Sequence, residues 1–308
     1  MMCKMLLNVS LYALSVYFVT QLVHGQSSCS CNLPDSDFAT GVNLVYYKCN
    51  KEIPATIAYP ITAPQGLLKV LEKKRTIFYA FGYLEQPEDD NVQIIIRALC
   101  YERTDNVVLL DWSKYSKGFY PEVFQKAENV GRLMARSLQL LKDNGFDTST
   151  IYLIGHSLGA HLVGFAGKCN NFSIPRITGL DPANSIFYIP GCYLTPRDAT
   201  WVDIIHTDIG KWGTFQSLGT AEFYANSGFR PQPGCPIVEI PFTKDGLCSH
   251  QKSVALYAES KYGSKNLIAI QCTSYTAYNE HLCDGNLRTG IGYAASNVTG
   301  SFFFTTTS

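Results

Sequence analysis

The amino-acid sequence predicts an α/β fold in which a mainly parallel central sheet is flanked by helices. Three observations support this prediction. Short apolar segments with the length of buried strands recur along the chain. Segments of helical periodicity alternate with them, which is typical of strand–helix–strand units in a parallel sheet. A serine motif also lies at one of the junctions between a strand and a helix.

Strands are predicted wherever these short apolar segments occur. In chain order they are Thr76–Tyr79, Val107–Leu110, Ile151–Ile154, Arg176–Leu180 and Val202–His206. Near the end of the chain, Phe302–Phe304 precedes three threonines and is interpreted as a frayed edge strand or a tail.

Helices are predicted from apolar residues spaced three and four apart. The longest begins at Pro121 and ends at Asn144-Gly145, as a proline at the start and a glycine after the end favour. Small residues dominate the segment Leu158–Ala166, which follows the strand at Ile151–Ile154 directly. A later helix is predicted over Ser253–Tyr262.

The N-terminal segment, residues 1–25, has a basic residue followed by an apolar run and ends on Gly25. This pattern predicts a secretory signal peptide that is cut near Gly25. The alternative is an uncleaved membrane anchor, but Asn8, Ser10 and Ser15 interrupt the apolar run. Residues 26–308 are then expected to form a single domain.

Charge and cysteine content restrict the function classes. The formal net charge is zero, so there is no electrostatic basis for nucleic-acid binding. Ten cysteines follow the predicted signal peptide, and an even number in a secreted chain indicates five disulfides. Zinc binding is the alternative, but the wide spacings match no zinc-finger pattern. Asn171 and Asn297 head N-glycosylation sequons, which agrees with secretion.

The segment Gly155-His156-Ser157-Leu158-Gly159 matches the pattern G-x-S-x-G between a predicted strand and a predicted helix. In that context the pattern is typical of the nucleophile elbow of the α/β-hydrolase fold, and it makes Ser157 the candidate nucleophile. A chance Gly-Ser-Gly loop is the alternative.

A nucleophilic serine needs a base and an acid that orients the base, and in this fold the chain order is Ser, acid, His. Asp181 ends the next predicted strand, so its carboxylate is expected at the same edge of the sheet as Ser157. Asp203, inside a strand, and Asp208, just after it, are competitors for the acid.

His250 is the preferred base, because it follows a cysteine on a predicted loop before the last predicted helix. His281 is the second candidate. His206 lies on a strand and is expected to be buried and hydrogen-bonded, whereas His156 and His161 lie too close to the elbow and are expected to pack or cap.

Several segments together resemble the animal pancreatic-lipase family, which includes insect venom phospholipases A1 and non-enzymatic yolk proteins. They run in family order over roughly residues 75–260: Asp111-Trp112, Gly155–His161, Gly179–Ala183, Val202–Asp208, Glu222–Asn226, Gln232–Cys235 and Cys248–His250. The resemblance implies Ser157, Asp181 and His250 as the catalytic triad of a secreted hydrolase of lipid acyl esters.

The oxyanion hole needs two backbone N–H groups aimed at the developing charge. Leu158, directly after the nucleophile, is one candidate donor. The resemblance places the other in the loop after the first predicted strand, where the family has His-Gly-aromatic and this chain has Phe81-Gly82-Tyr83. Tyr83 N–H is therefore the second candidate, although the support of the loop differs from that in the family.

Cofactors and protein partners are not expected. The family often carries calcium on two aspartates before the strand at Val202–His206, but here Thr195 replaces one and only Asp198 remains, so we predict no bound metal. Larger family members also carry a C-terminal β-sandwich domain that docks a protein cofactor. We expect neither that domain nor a colipase-type partner here, and we expect a monomer.

The resemblance also implies that Cys235 pairs with Cys248 and closes a lid over the active site, and a local pair Cys272–Cys283 is expected. The lid contains Ile237, Val238, Ile240 and Phe242, which are expected either to dip into a lipid surface or to pack down as a small buried loop.

The lid and the stretch after Asp208 are both short, which resembles the phospholipase A1 members and predicts release of the sn-1 fatty acid from phospholipids. The alternatives are a triacylglycerol or galactolipid lipase, a soluble serine esterase that does not act on lipids, and a catalytically inactive lipid-binding protein of the yolk-protein kind.

Overall fold

An 11-stranded sheet forms the centre of the computed structural model within the residues that it describes, which are 29–49, 54–188, 191–238, 243, 245–263 and 267–307. In chain order the strands are β1 (Asn43–Lys48), β2 (Ala55–Pro60), β3 (Thr76–Ala80), β4 (Asn106–Asp111), β5 (Ile151–His156), β6 (Arg176–Leu180), β7 (Trp201–His206), β8 (Ala221–Ala225), β9 (Ile268–Gln271), β10 (Arg288–Gly290) and β11 (Gly300–Phe304).

The strand order across the sheet is β10-β9-β11-β8-β7-β6-β5-β3-β4-β1-β2. The strands from β11 to β4 along this order run parallel, and the antiparallel pairs lie at the two sides of the sheet. The predicted fold class, a mainly parallel central sheet of the α/β-hydrolase kind, is confirmed. All carboxyl ends of the parallel strands meet at one edge, where functional side chains of such sheets collect.

The helices are α1 (Asp90–Cys100), α2 (Tyr120–Asp143), α3 (Leu158–Lys168), α4 (Cys248–Lys261) and α5 (Tyr275–Asn279). Four of them pack in pairs, α2 against α3 and α1 against α4. The α2–α3 contact is close because of Gly131, where a Cβ would lie 2.6 Å from the carbonyl oxygen of Leu162. The predicted helix from Pro121 to Asn144-Gly145 corresponds to α2.

The start of α4 differs from the sequence prediction, which placed His250 on a loop and began the helix at Ser253. The helix begins at Cys248, so His250 lies in its first turn. Tertiary contacts explain the earlier start: Ser249 is buried and its hydroxyl accepts the N–H of Gln232 at 3.0 Å. The local sequence gives no sign of that partner.

The prediction that Phe302–Phe304 is a frayed edge or a tail is wrong. These residues belong to β11, which lies inside the sheet, parallel to β8 and antiparallel to β9. Phe302 and Phe304 are fully buried, and the Phe302 ring stacks on that of Phe223 with centroids 5.4 Å apart. Burial of this apolar surface stabilises β11 inside the sheet, although the strand lies near the end of the chain.

Four disulfides are defined within residues 31–308, and both predicted pairs, Cys235–Cys248 and Cys272–Cys283, are confirmed. The other two are Cys31–Cys169 and Cys49–Cys100. Residues 31–308 cluster as one compact unit. The predicted signal peptide, residues 1–25, lies outside the described residues. Among those that are described, no helix is long and apolar enough to cross a membrane.

Candidate active site

Ser157 lies at the junction of β5 and α3 in a conformation that residues with a side chain rarely adopt, with φ 54° and ψ −120°. The flanking glycines permit this turn, because a Cβ on Gly155 would collide with the carbonyl group of Gly159. The backbone is held from two sides: Ser157 N–H donates to Leu180 O at 3.0 Å, and Ser157 O accepts from Ala183 N–H at 3.2 Å. This geometry is that of a nucleophile elbow, which presents the hydroxyl at the carboxyl edge of the sheet.

Asp181 follows β6 directly and is completely buried. Its Oδ1 accepts from the N–H groups of Thr207 at 2.8 Å and Asp208 at 3.0 Å, just beyond β7. Gly213 lies against the carboxylate so closely that a Cβ there would be 2.7 Å from Oδ2 and 2.8 Å from Oδ1. Two backbone donors therefore fix the carboxylate and leave Oδ2 for one further partner.

That partner is His250, whose Nδ1–H donates to Asp181 Oδ2 at 2.6 Å. Burial lowers the pKa of His250, but the hydrogen bond and charge of Asp181, together with the charges of Asp208 and Glu85, raise the pKa above its ordinary value. Because Nδ1 carries the shared proton, Nε2 is the nitrogen that can accept a proton from a nucleophile.

One cavity at the carboxyl edge brings these groups together. Ser157 and His250 both line it, as do Tyr83, Trp212 and Leu247. The lining combines a nucleophile and a base with apolar and aromatic surface, which suits a substrate with an ester group and an acyl chain.

The competing carboxylates are paired with arginines. Both oxygens of Asp203 accept from Arg176 at 2.9 Å, and Oδ1 also accepts from Thr178 at 2.7 Å. Asp208 accepts from Arg230 at 2.6 and 2.5 Å. These carboxylates are occupied, whereas that of Asp181 faces the imidazole of the preferred base.

The other histidines are also engaged. His206 is buried and lies 2.6 Å from Glu222, so the expectation of a buried, hydrogen-bonded side chain is confirmed. His161 donates to a backbone carbonyl at 2.7 Å, and burial lowers its pKa to about 4. His281 is exposed and lies 3.3 Å from Asp284, on the surface of the molecule.

The loop after β3 lies directly against the nucleophile. A Cβ on Gly82 would be 2.7 Å from the Cβ of Ser157, so the loop and the elbow are in van der Waals contact. Gly82 N–H is already used, since it donates to Glu85 at 2.6 Å. Tyr83 N–H has no protein acceptor in the described part of the chain. Leu158 is the first residue of α3, where an N–H has no intrahelical acceptor. Both amides are thus available to an oxyanion.

Sequence reasoning did not identify Glu85. Its carboxylate accepts from Gly82 N–H, from Asn91 at 2.5 Å and from His156 Nδ1 at 3.0 Å, and the His156 ring lies 4.8 Å from that of His250. Glu85 belongs to the acidic segment 85–90, in which nothing local distinguishes it from its solvated neighbours. Only the fold brings it beside the elbow.

The lid segment between Cys235 and Cys248 is only partly described. Ile237 is 89% exposed and Val238 is 80% exposed, so these two side chains do not pack down into the protein. The other predicted lid residues, Ile240 and Phe242, lie outside the described residues.

One cluster of possible metal ligands occurs among the described residues, formed by Asp181, Asp208 and His250. Its atoms already pair with one another and with Arg230. Asp198 lies at the position where the resemblance puts the calcium site of the family. Both of its oxygens accept from Lys168 at 2.6 Å. A protein cation therefore already neutralises this carboxylate.

Comparison with known proteins consistently finds similarity to lipases. The family model described as Lipase matches residues 66–306. Lipase member H of Danio rerio is 39% identical over 191 residues, covering 61% of this chain and 42% of that protein. Lipase member H of Rattus norvegicus is 34% identical and covers 75% and 51%, and pancreatic triacylglycerol lipase of Oryctolagus cuniculus is 34% identical and covers 68% and 49%. This chain spans about half the length of the curated relatives that it matches.

Proposed function

Because this chain belongs to the lipase family, we propose that it hydrolyses acyl esters of lipids with Ser157 as nucleophile, His250 as base and Asp181 as the orienting acid. The observation that carries the proposal is the 2.6 Å hydrogen bond between His250 Nδ1 and Asp181 Oδ2, with Ser157 in the same cavity on an elbow turn. These are the parts that nucleophilic acyl transfer requires.

In the first half of the reaction, Ser157 Oγ attacks the ester carbonyl carbon while His250 Nε2 removes the hydroxyl proton. The carbonyl oxygen becomes an oxyanion that accepts from Tyr83 N–H and Leu158 N–H. Collapse of the tetrahedral intermediate breaks the ester C–O bond, and His250 returns the proton to the departing alcohol. The acyl group remains on Ser157.

In the second half, water attacks the acyl-enzyme and His250 Nε2 again removes a proton. The second tetrahedral intermediate expels Ser157 Oγ, which recovers its proton from His250, and the fatty acid leaves. Asp181 orients the imidazole and stabilises the imidazolium that forms twice.

For the substrate, we propose the sn-1 ester of a phospholipid. Twelve residues, Pro236–Leu247, separate the two lid cysteines. A short lid provides little apolar cover, which leaves room for a polar head group and gives a third acyl chain little surface to bind. The exposed side chains of Ile237 and Val238 fit contact with a membrane or micelle surface. Triacylglycerol and galactolipid are the competing substrates.

For location, we propose secretion. The disulfides belong to an oxidising compartment. Asn171 and Asn297, the sequon asparagines, are both exposed and accessible to glycosylation.

The test is product analysis with phosphatidylcholine vesicles, galactolipid vesicles and a triolein emulsion, each with wild type and Ser157→Ala. We expect the wild type to release 2-acyl lysophosphatidylcholine faster than it releases fatty acid from triolein, and the variant to release neither. Faster hydrolysis of triolein would reject the phospholipid preference alone. A wild type that fails to hydrolyse any ester and to react with a fluorophosphonate probe would support an inactive lipid-binding protein instead.

A further inference from the structure

A buried carboxylate outside the triad anchors the loop beside the nucleophile. Glu85 Oε2 accepts from Gly82 N–H at 2.6 Å and from His156 Nδ1–H at 3.0 Å, and Oε1 accepts from Asn91 at 2.5 Å. Burial raises the pKa of Glu85, but the charge and hydrogen bond of His156, together with the hydrogen bonds of Gly82 and Asn91, lower it below its ordinary value. The carboxylate is therefore ionised at neutral pH and holds all three donors at once.

This anchor connects the two segments whose relative position decides the geometry of the oxyanion hole. Gly82 belongs to the loop after β3, whereas His156 ends β5 and directly precedes Ser157. Because Gly82 N–H is fixed on Glu85, the next peptide, which carries Tyr83 N–H, has little freedom to rotate. The far side of the loop is fixed separately, by Leu84 N–H donating to Ser116 O at 2.9 Å.

We propose that Glu85 is a positioning residue: through Gly82 and His156 it holds the Tyr83 N–H in place relative to Ser157, ready for the developing oxyanion. The inference rests on the proposed function above. Glu85 lines the same cavity as Ser157, but both of its oxygens are already held by Gly82, His156 and Asn91. Its effect is expected mainly in the transition state, because a preorganised donor lowers the barrier without adding to ground-state binding.

A loss variant and a rescue variant can test this. Glu85→Met has a side chain of similar length but removes both acceptor oxygens from Gly82 N–H, His156 and Asn91. Glu85→Gln keeps one side-chain oxygen for Gly82 and His156, because the Asn91 amide can turn round and accept from the glutamine NH2 group through its own oxygen. Glu85→Gln therefore keeps the Gly82 bond without the charge on residue 85.

The readouts are kcat and KM for a soluble p-nitrophenyl ester, and the inhibition constant of a trifluoromethyl ketone, which forms a tetrahedral oxyanion adduct on the serine. We expect Glu85→Met to lower kcat roughly 10- to 100-fold, the size of other effects transmitted through a neighbouring group. KM should change little, and ketone binding should weaken by the same factor as kcat. Glu85→Gln should recover at least half of the Glu85→Met loss on a logarithmic scale.

The control is Asp89→Asn, a carboxylate of the same loop that accepts from Gln86 N–H at 3.0 Å and not from Gly82. It should leave kcat and ketone affinity unchanged. Thermal unfolding of every variant separates lost positioning from lost folding, since a purely structural role would lower stability without a matched loss of ketone affinity.

Wild-type kcat and ketone affinity in Glu85→Met would overturn the inference, as would a Glu85→Gln variant no better than Glu85→Met. Neither result would touch the proposed function, which depends on hydrolysis by the wild type and its loss in Ser157→Ala. Failure of the wild type to hydrolyse esters would remove both proposals, so the two kinds of failure are distinguishable.

Discussion

Two residues of the proposed catalytic triad have a strained backbone conformation. Ser157 and Asp181 both have positive φ, at 54° and 40°, and neither is a glycine. Each such position costs about 1–3 kcal/mol and persists only when its surroundings over-determine it. The surroundings here include backbone hydrogen bonds from Ser157 to Leu180 at the end of β6 and to Ala183 beyond it, and from Asp181 N–H to the carbonyl of Ile205. The strain holds the reactive groups in a fixed orientation before substrate arrives.

Replacing Ser157 by alanine should abolish hydrolysis and leave the fold intact. In the proposed mechanism the hydroxyl forms the covalent intermediate, and loss of such a nucleophile costs on the order of a million-fold in kcat in related chemistry. Ester hydrolysis measured beside the unfolding curve checks both parts. A variant that keeps more than about one hundredth of the wild-type rate would contradict the nucleophile assignment.

The acid limb of the pH–rate profile should report the titration of His250. Its pKa is raised, and only the neutral imidazole can accept the proton of Ser157. Activity should therefore fall as pH drops through the folded-state pKa, with a midpoint above the ordinary value of about 6.5. The raised pKa of His250 also makes folding stability depend on pH, in the opposite direction. The stability that His250 contributes is present below its unfolded-state pKa and is lost as pH rises through its raised folded-state pKa.

Asp181→Asn is the matched control for this profile. It removes the largest favourable cause of the raised pKa, so the acid midpoint should move to lower pH, and the maximal rate should fall about ten-thousand-fold. A midpoint that stays in place would assign the acid limb to a different group.

At the scale of elements, the turn beyond β7 shapes the proposed acid site. Thr207 and Asp208 donate to Asp181, and Gly213 closes over the same carboxylate. The acid is therefore held by backbone from another segment, and its position depends on that turn more than on its own side-chain preferences.

Gly213→Ala should lower kcat roughly 10- to 100-fold by displacing the Asp181 carboxylate from His250. Substitutions that move a group beside a functional side chain have effects of this size. Gly213 does not have positive φ, so alanine does not strain the backbone there. The effect of the substitution comes from the clash between its Cβ and the Asp181 carboxylate. Gly285→Ala is the control, because a Cβ there meets nothing within 4 Å. Equal kcat in the two variants would contradict the role of this close approach.

The elements show what a single sequence can and cannot predict. The parallel strands and α2 were predictable, because buried strands and amphipathic helices leave a local period in the sequence. The start of α4 was not predictable, because it depends on the contact between Ser249 and Gln232. The position of β11 was not predictable either, because it depends on pairing with strands that are distant in sequence. The role proposed for Glu85 has the same origin, since its three donors are separated along the chain and meet only in the fold.

For the whole molecule, one sheet edge collects residues that are far apart in sequence. Tyr83 follows β3, Ser157 follows β5 and Asp181 follows β6, and the parallel order places all three at the carboxyl edge. This rule is general for open α/β sheets, so the sequence alone predicts the edge at which these three residues meet but not the contacts that support them. The sheet continues past β8 into β11 and β9, so the C-terminal strands belong to the same core.

Phe302→Ala should destabilise the molecule by about 3–5 kcal/mol, because it removes a fully buried ring from the interior of the sheet. Denaturant unfolding measures the loss. Leu282→Ala, at a side chain that is 72% exposed, should change stability by less than about 0.5 kcal/mol. Similar stabilities for the two variants would show that β11 is not part of the cooperative core.

The strained turn at Ser157 also has an evolutionary consequence. Glycine adopts a positive φ without steric cost, and glycine has no hydroxyl group. Under the proposed mechanism, the substitution that relieves the strain at this position is therefore also one that abolishes catalysis. Selection for the proposed activity would have to oppose any stability gained in this way, which is the form that a trade-off between stability and activity takes at a single position.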